Sequence, residues 1–219
     1  MRNPFNTNQS LHYAPTYNGL NVLQKCGPLV TEYLSRLQAV LELARHEYVE
    51  LFVVRIDLHF SQRFDLPDIA ITNQPVCSFF KKLKEKLKAK EDAARLQTGR
   101  ANLFGLRYVW AREIGPESGV PHYHLMLVFN QNAIRSLGDF SNPNAPGLYR
   151  LCQEAWADAI GLDFDLASGL VSSSPSGQWL LRRDDTAVFD DVFRACSYLC
   201  KARSKIFELG FHGFGFSRR

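Results

Sequence analysis

Two histidines stand two residues apart in the segment His122-Tyr123-His124-Leu125-Met126-Leu127-Val128-Phe129. On a strand, residues two apart face the same way, so both imidazoles can converge on one cation. The preceding alternating segment ends in Glu113. A hairpin that sets residue 113 opposite residue 122 makes Glu113 the cross-strand neighbour of His122 and places it diagonal to His124. A slip of one residue would turn Glu113 to the opposite face. Two imidazoles and one carboxylate leave coordination positions open, as a catalytic rather than a structural metal requires. Such a donor set suits Mg or Mn when a phosphate supplies further oxygens, with Zn as an open alternative. The bland alternative is a chance pair of histidines on a half-exposed strand. Against it, the long apolar run marks a central strand, where polar groups need partners, and a carboxylate stands at the matching place.

A metal that polarises a phosphodiester needs a nucleophile. Arg194, Tyr198, Lys201 and Lys205 are spaced i, i+4, i+7, i+11 in a segment expected to be helical from about Thr186 to Phe207. Cations around a phenol stabilise the negative oxygen that attacks phosphorus, and they also hold an anionic substrate. Tyr198 is therefore the candidate nucleophile, with Arg194 and Lys205 as candidate contacts for that substrate. The competing view is a surface tyrosine among solvated charges.

The elements that must position these groups are legible in the patterning. Apolar residues at Val30, Tyr33, Leu34, Leu37, Leu41 and Ala44 predict an amphipathic helix. Phe52, Val54, Ile56, Leu58 and Phe60 alternate with Val53, Arg55, Asp57 and His59, a strand with a core face and a polar face. A Lys-rich helix over about Ser78 to Leu96 ends near Thr98-Gly99-Arg100. Phe104, Leu106, Tyr108 and Trp110 share one face of the next strand, and a Gly/Pro loop over 114 to 121 leads into the histidine strand, predicting an antiparallel hairpin. After a Pro/Asn/Gly loop at 141 to 147, a helix is expected over Leu148 to Ile160. Two weak strands around Phe164 to Val171 and Gln178 to Arg182 are expected, joined by a turn at Ser172 to Gly177. This order predicts an α+β sandwich with one antiparallel sheet. Residues 1 to 28 form an arm whose order the sequence leaves open, and residues 29 to 219 read as a single domain.

Composition bounds the partners. A chain of 219 residues, 46% hydrophobic, can bury one sizeable core, and its formal charge of +4 favours a polyanion. No apolar run is long enough for a bilayer, and five scattered cysteines suggest free thiols, so a soluble cytoplasmic protein with no membrane partner is expected. Cys196 and Cys200 lie a turn apart and read as small apolar fillers rather than as ligands.

His122-Tyr123-His124 on an aliphatic strand, then Tyr198-Leu199-Cys200-Lys201 late in the chain, resemble the motifs of the HUH endonucleases. Arg55-Ile56-Asp57-Leu58, Arg112-Glu113-Ile114-Gly115 and His122-Tyr123-His124-Leu125 resemble more narrowly the inovirus-type replication proteins and the related YagK/YfjJ C-terminal domain. The resemblance spans about residues 30 to 210. It implies an RRM-like antiparallel sheet flanked by helices, with His122, His124 and Glu113 as ligands and Tyr198 as the nucleophile. It further implies Lys201 as a catalytic group that orients the phosphate or offsets charge at the metal. Arg55, Asp57 and His59 would grip DNA or support the ligands. The implied activity is nicking of single-stranded DNA at a replication origin through a 5′-phosphotyrosine, which initiates rolling-circle replication of a phage or plasmid in a bacterial host. Residues one turn from Tyr198 are Arg194 and Ala202, so the pattern is that of a single-tyrosine enzyme. Unwinding would fall to a host helicase. The sequence does not give the oligomeric state. An alternative function is a non-catalytic RRM-like module that binds single-stranded nucleic acid, although such sheets place aromatics on the open face and here they point to the core. A zinc hydrolase acting on a small molecule would leave the Lys-rich helix and the Tyr198 stripe without a role.

Overall fold

The computed structural model describes residues 1–4, 6–61, 68–115, 119–139, 145–203, 205 and 211–218. Helix α1 (Thr31–Glu47) leads into strand β1 (Glu50–His59). Helix α2 (Gln74–Thr98), the hairpin β2 (Arg107–Ile114) and β3 (Pro121–Asn130), and helix α3 (Leu148–Ile160) follow. Strand β4 (Val171–Arg182), helix α4 (Thr186–Cys196) and a short strand β5 (Phe214–Phe216) complete the fold. The strands form one antiparallel sheet in the order β5-β2-β3-β1-β4, so the fold is α+β with the histidine strand at its centre. Parts of the 114 to 121 and 141 to 147 loops, Phe207 and the final arginine lie outside the described residues.

Period-two alternation gives the sheet two apolar faces. On one, Phe52, Val54, Ile56 and Leu58 of β1 and Tyr123, Leu125, Leu127 and Phe129 of β3 pack on Phe79 and Leu83 of α2 and Trp156 of α3. On the other, Val53, Val109, Ala111, Met126 and Val128 pack on Leu34, Leu37 and Leu41 of α1 and Phe189, Val192 and Phe193 of α4. Burying each of those leucines is worth roughly 1.5–3 kcal/mol. Asp185 caps α4, its side chain accepting from the Val188 amide at 2.9 Å. Helix α2 ends where Gly99 adopts a left-handed φ of 73°, a conformation without penalty only for glycine.

Two features differ from the sequence expectation, and a third concerns an arm whose order the sequence leaves open. The two weak strands are one: β4 runs on from Ser172 through Gly177, with a shift of register at residues 174 to 177 instead of a turn. Gln178 pairs with Val54 and Ser173 with Ile56, so residues 174 to 177 stand opposite Arg55 alone. Strand β5 has no counterpart in the expectation, since three residues are too few to show a period. Residues Asn6–His12 form a strand that pairs with Leu29–Val30, so the N-terminal arm packs onto the fold rather than trailing from it.

The Lys-rich helix α2 packs on the sheet face opposite the two histidines. Part of its charge binds it to α3, with Lys86 at 3.5 Å from Glu154 and 3.2 Å from Asp158. Among the described residues, no helix is long and apolar enough to cross a membrane.

Candidate metal centre and nucleophile

Strand register assembles the site. Glu113 pairs with His122 across β2 and β3, the register on which the three-ligand arrangement depends. On the other side of β3, Asp57 pairs with His124 and His59 with His122. The carboxylate and both imidazoles therefore share the face that α1 and α4 cover at its other end.

His124 directs Nδ1 to Asp57 Oδ1 at 2.6 Å and Nε2 towards Glu113 Oε2 at 3.4 Å. That Nε2 is buried and has no hydrogen-bond partner among the described residues, since the longer approach is a charge contact rather than a hydrogen bond. His122 Nε2 lies 3.9 Å from the same carboxylate oxygen, and the two imidazole rings meet edge to face at 4.8 Å. One donor atom from each of Glu113, His122 and His124 lies within 4.8 Å of the others, and together these residues could hold a metal ion. A buried imidazole nitrogen with no partner fits that role, because leaving it bare is costly. Asp57 stands behind His124 as the carboxylate that fixes ring orientation and tautomer in metal-binding histidines.

Two lysines also reach Glu113, which is only 3% exposed. Lys201 Nζ is 2.7 Å from Oε2 and Lys205 Nζ 3.2 Å from Oε1. Burial alone would raise the Glu113 pKa, but His124, Lys205 and Lys201 outweigh it and hold the carboxyl well below the usual range. Burial likewise opposes charge on His124, yet its hydrogen bond to Asp57 and the neighbouring charge of Glu113 prevail and its pKa is raised. For His122, burial and the neighbouring His124 together lower the pKa.

Tyr198 reaches this cluster from a turn. Helix α4 stops at Cys196 and the chain tightens into a 3-10 turn over Ser197–Cys200. The Tyr198 ring meets His124 edge to face, with centroids 5.0 Å apart. The Arg55 guanidinium lies 5.0 Å from the centre of the same ring. Lys201 Nζ donates to the Tyr198 hydroxyl at 2.6 Å, so one ammonium links the phenol to Glu113.

A match to the YagK/YfjJ C-terminal domain family extends over residues 12–217. The chain belongs to that family. Two Escherichia coli relatives are the uncharacterized proteins YfjJ and YagK. YfjJ is 31% identical over 202 residues, covering 88% of this chain and 96% of its own. YagK is 30% identical over 217 residues, covering 93% of this chain and 98% of its own. No solved structure matches the chain.

In this YagK/YfjJ domain, Arg55, Asp57 and His59 line the polar part of β1 as the alternation predicts. Arg55 lies beside Tyr198 and donates to the Ala195 carbonyl at 3.3 Å. Asp57 orients His124, and His59 stacks on His122 at 5.8 Å. Arg194 is exposed on α4, upstream of the turn. The continuous helical stripe expected through Arg194, Tyr198, Lys201 and Lys205 is absent. Ser197 donates its hydroxyl to the Arg194 carbonyl at 2.7 Å, and the Lys201 amide bonds to the Tyr198 carbonyl, which tightens the helix end. Lys205 is not a surface contact for DNA: its side chain is fully buried and its ammonium is committed to Glu113. Cys196 and Cys200 are buried in the apolar cluster under α1 and α4, as fillers.

The N-terminal segment supports the turn, a role that sequence reasoning missed. The Leu23 amide donates to Ser197 Oγ at 2.8 Å, the Ala202 amide donates to the Pro28 carbonyl at 2.9 Å, and Leu29 bridges Lys201. Nothing in the Asn- and Pro-rich composition of that segment indicates such contacts. Lys205 was visible as a cation, but helical spacing assigned it the wrong surroundings.

Proposed function

We propose that this protein is an HUH-type endonuclease that nicks and rejoins single-stranded DNA through Tyr198 with the help of a divalent cation, Mg or Mn. The observation that carries this reading is the lysine bridge. Lys201 holds the Tyr198 hydroxyl at 2.6 Å and Glu113 at 2.7 Å, which brings a nucleophile and a three-residue ligand set to one point. A small-molecule hydrolase has no use for a phenol held there, and a passive binding sheet has none for the His122, His124 and Glu113 convergence.

His122, His124 and Glu113 would hold the cation, which when bound polarises a phosphate oxygen and offsets its growing charge. Tyr198 Oη attacks phosphorus, an Oη–P bond forms, and the bond from phosphorus to the 3′ oxygen breaks. The phenolic proton leaves Oη, and the departing 3′ oxygen takes up a proton to become a free 3′-hydroxyl. Lys201 orients the phenol and offsets negative charge as phosphorus is attacked, and Arg55 holds the ring from its face. Reversal of the same steps rejoins strands. A free 3′-hydroxyl can prime synthesis, which suits an initiator of rolling-circle replication on a phage or plasmid in the host cytoplasm, with unwinding left to a host helicase.

The test uses labelled single-stranded oligonucleotides with Mn or Mg. The wild-type protein should form a denaturant-resistant adduct that is lost with chelator, and Tyr198→Phe should form none. Nicking by Tyr198→Phe at the wild-type rate would remove Tyr198 from the chemistry.

A further inference from the structure

The centre carries more positive charge than its carboxylates need. Glu113 is satisfied by Lys201 at Oε2, yet Lys205 reaches Oε1 from a side chain with no solvent exposure. The fold makes room for it: a Cβ on Gly213 would lie 3.2 Å from Lys205 Cδ. Burying a second ammonium is costly, and one cation already pairs this carboxylate. Arg55 over Tyr198 adds a third positive group, while Asp57 and Glu113 supply two negative ones. With neutral imidazoles the formal sum is three minus two, or +1, before any divalent ion enters.

A divalent ion entering a positive pocket is opposed, and a phosphodiester is attracted to the same pocket. Each ligand lowers the electrostatic cost of the other, and such coupling is reciprocal by thermodynamic necessity. We propose that Lys205 is a built-in counter-charge that keeps cation binding weak until a single-stranded DNA phosphate arrives, so that metal and DNA load together. The proposal rests on the DNA-nicking reading of the site and names its regulation. Lys205 acts here as a positioning residue: it holds Oε1 of Glu113, so that Oε2, which Lys201 also contacts, faces the two imidazoles. Its consequence is that the protein does not sequester free metal, and that the phenol meets a loaded centre only in the presence of substrate.

The experiment is a Mn titration read by electron paramagnetic resonance. It uses Tyr198→Phe protein, so that no strand is cut, with and without a poly(dT) oligonucleotide, after subtraction of Mn bound by DNA alone. Mn should bind about tenfold more tightly with the oligonucleotide, within the usual range of coupling between two sites. Lys205→Met in the same background should bind Mn more tightly without DNA and show several-fold less enhancement with it. A general loss of packing would weaken Mn binding in both conditions and would overturn the proposal. Equal Mn affinity with and without the oligonucleotide overturns it with no need for the Lys205 variant, as does an absence of Mn binding. Adduct formation by the wild-type protein is scored separately: adduct without coupling leaves the nicking reading standing, and coupling without adduct removes the nicking step alone.

Discussion

One face of the central sheet is divided between two chemistries. Towards one end, Val53 and Val128 lie beneath α1 and α4. Four to six residues further along the same strands, Asp57, His59, His122 and His124 occupy equivalent positions in the pleat. Both halves share strands, register and face, and they differ in what covers them. The apolar half is closed by helix packing, whereas the polar half is held by charge contacts that converge on Glu113. The first half should therefore set stability, and the second should set ligand binding at little gain to stability, since buried charge networks roughly offset their own desolvation.

Substitutions can break that division. Leu41→Ala in the apolar half should cost about 2–5 kcal/mol in chemical denaturation while leaving the Mn affinity of the folded protein unchanged. A comparable loss of Mn affinity would mean that the halves are not separate. Asp57→Asn in the polar half should lower Mn affinity about 10–100-fold, because His124 loses the carboxylate that orients it, with a much smaller effect on unfolding. An unchanged affinity would show that Asp57 serves DNA instead.

The pH response should be smaller and confined to the polar half. The folded pKa of His124 is raised, so the stability it contributes is fully present below its unfolded value of about 6.5 and is lost as pH rises through the folded value. Asp57 and Glu113 have lowered values, so their contribution is present above about pH 4 and is lost as pH falls through their folded values. The metal-free site thus contributes most in mildly acidic solution. The stability gap between wild type and His124→Gln should narrow from about pH 6 to about pH 9, as measured by thermal unfolding in chelator. Mn affinity should rise over the same interval, because a ligating imidazole must be unprotonated. A gap that widens with pH would reverse the assigned sign.

The halves also differ in how well the sequence reveals them. Alternation in β1 and β3 makes both faces readable, and the Glu113 and His122 pairing follows once the hairpin is placed. Helix α3 matches its expected bounds, because its apolar spacing is regular and Gly161 ends it with a left-handed φ of 71°. Periodicity gives no sign of where α4 would stop, since Ser197 breaks the helix by a local side-chain bond. It also cannot place Lys205 or Leu23, whose contacts with Glu113 and Ser197 join residues 92 and 174 positions apart. The candidate ligand set was legible because two strands carry it. The lysines that reach Glu113 and the support for Tyr198 were not, because irregular chain brings them in.

The most direct test of the central claim is to locate the nucleotide. Wild-type protein treated with single-stranded DNA and Mn, then with nuclease and protease, should yield one modified peptide, with a 5′-phosphoryl nucleotide on Tyr198 by tandem mass spectrometry. Modification at another residue, or efficient strand cleavage with Tyr198 unmodified throughout the reaction, would contradict the account.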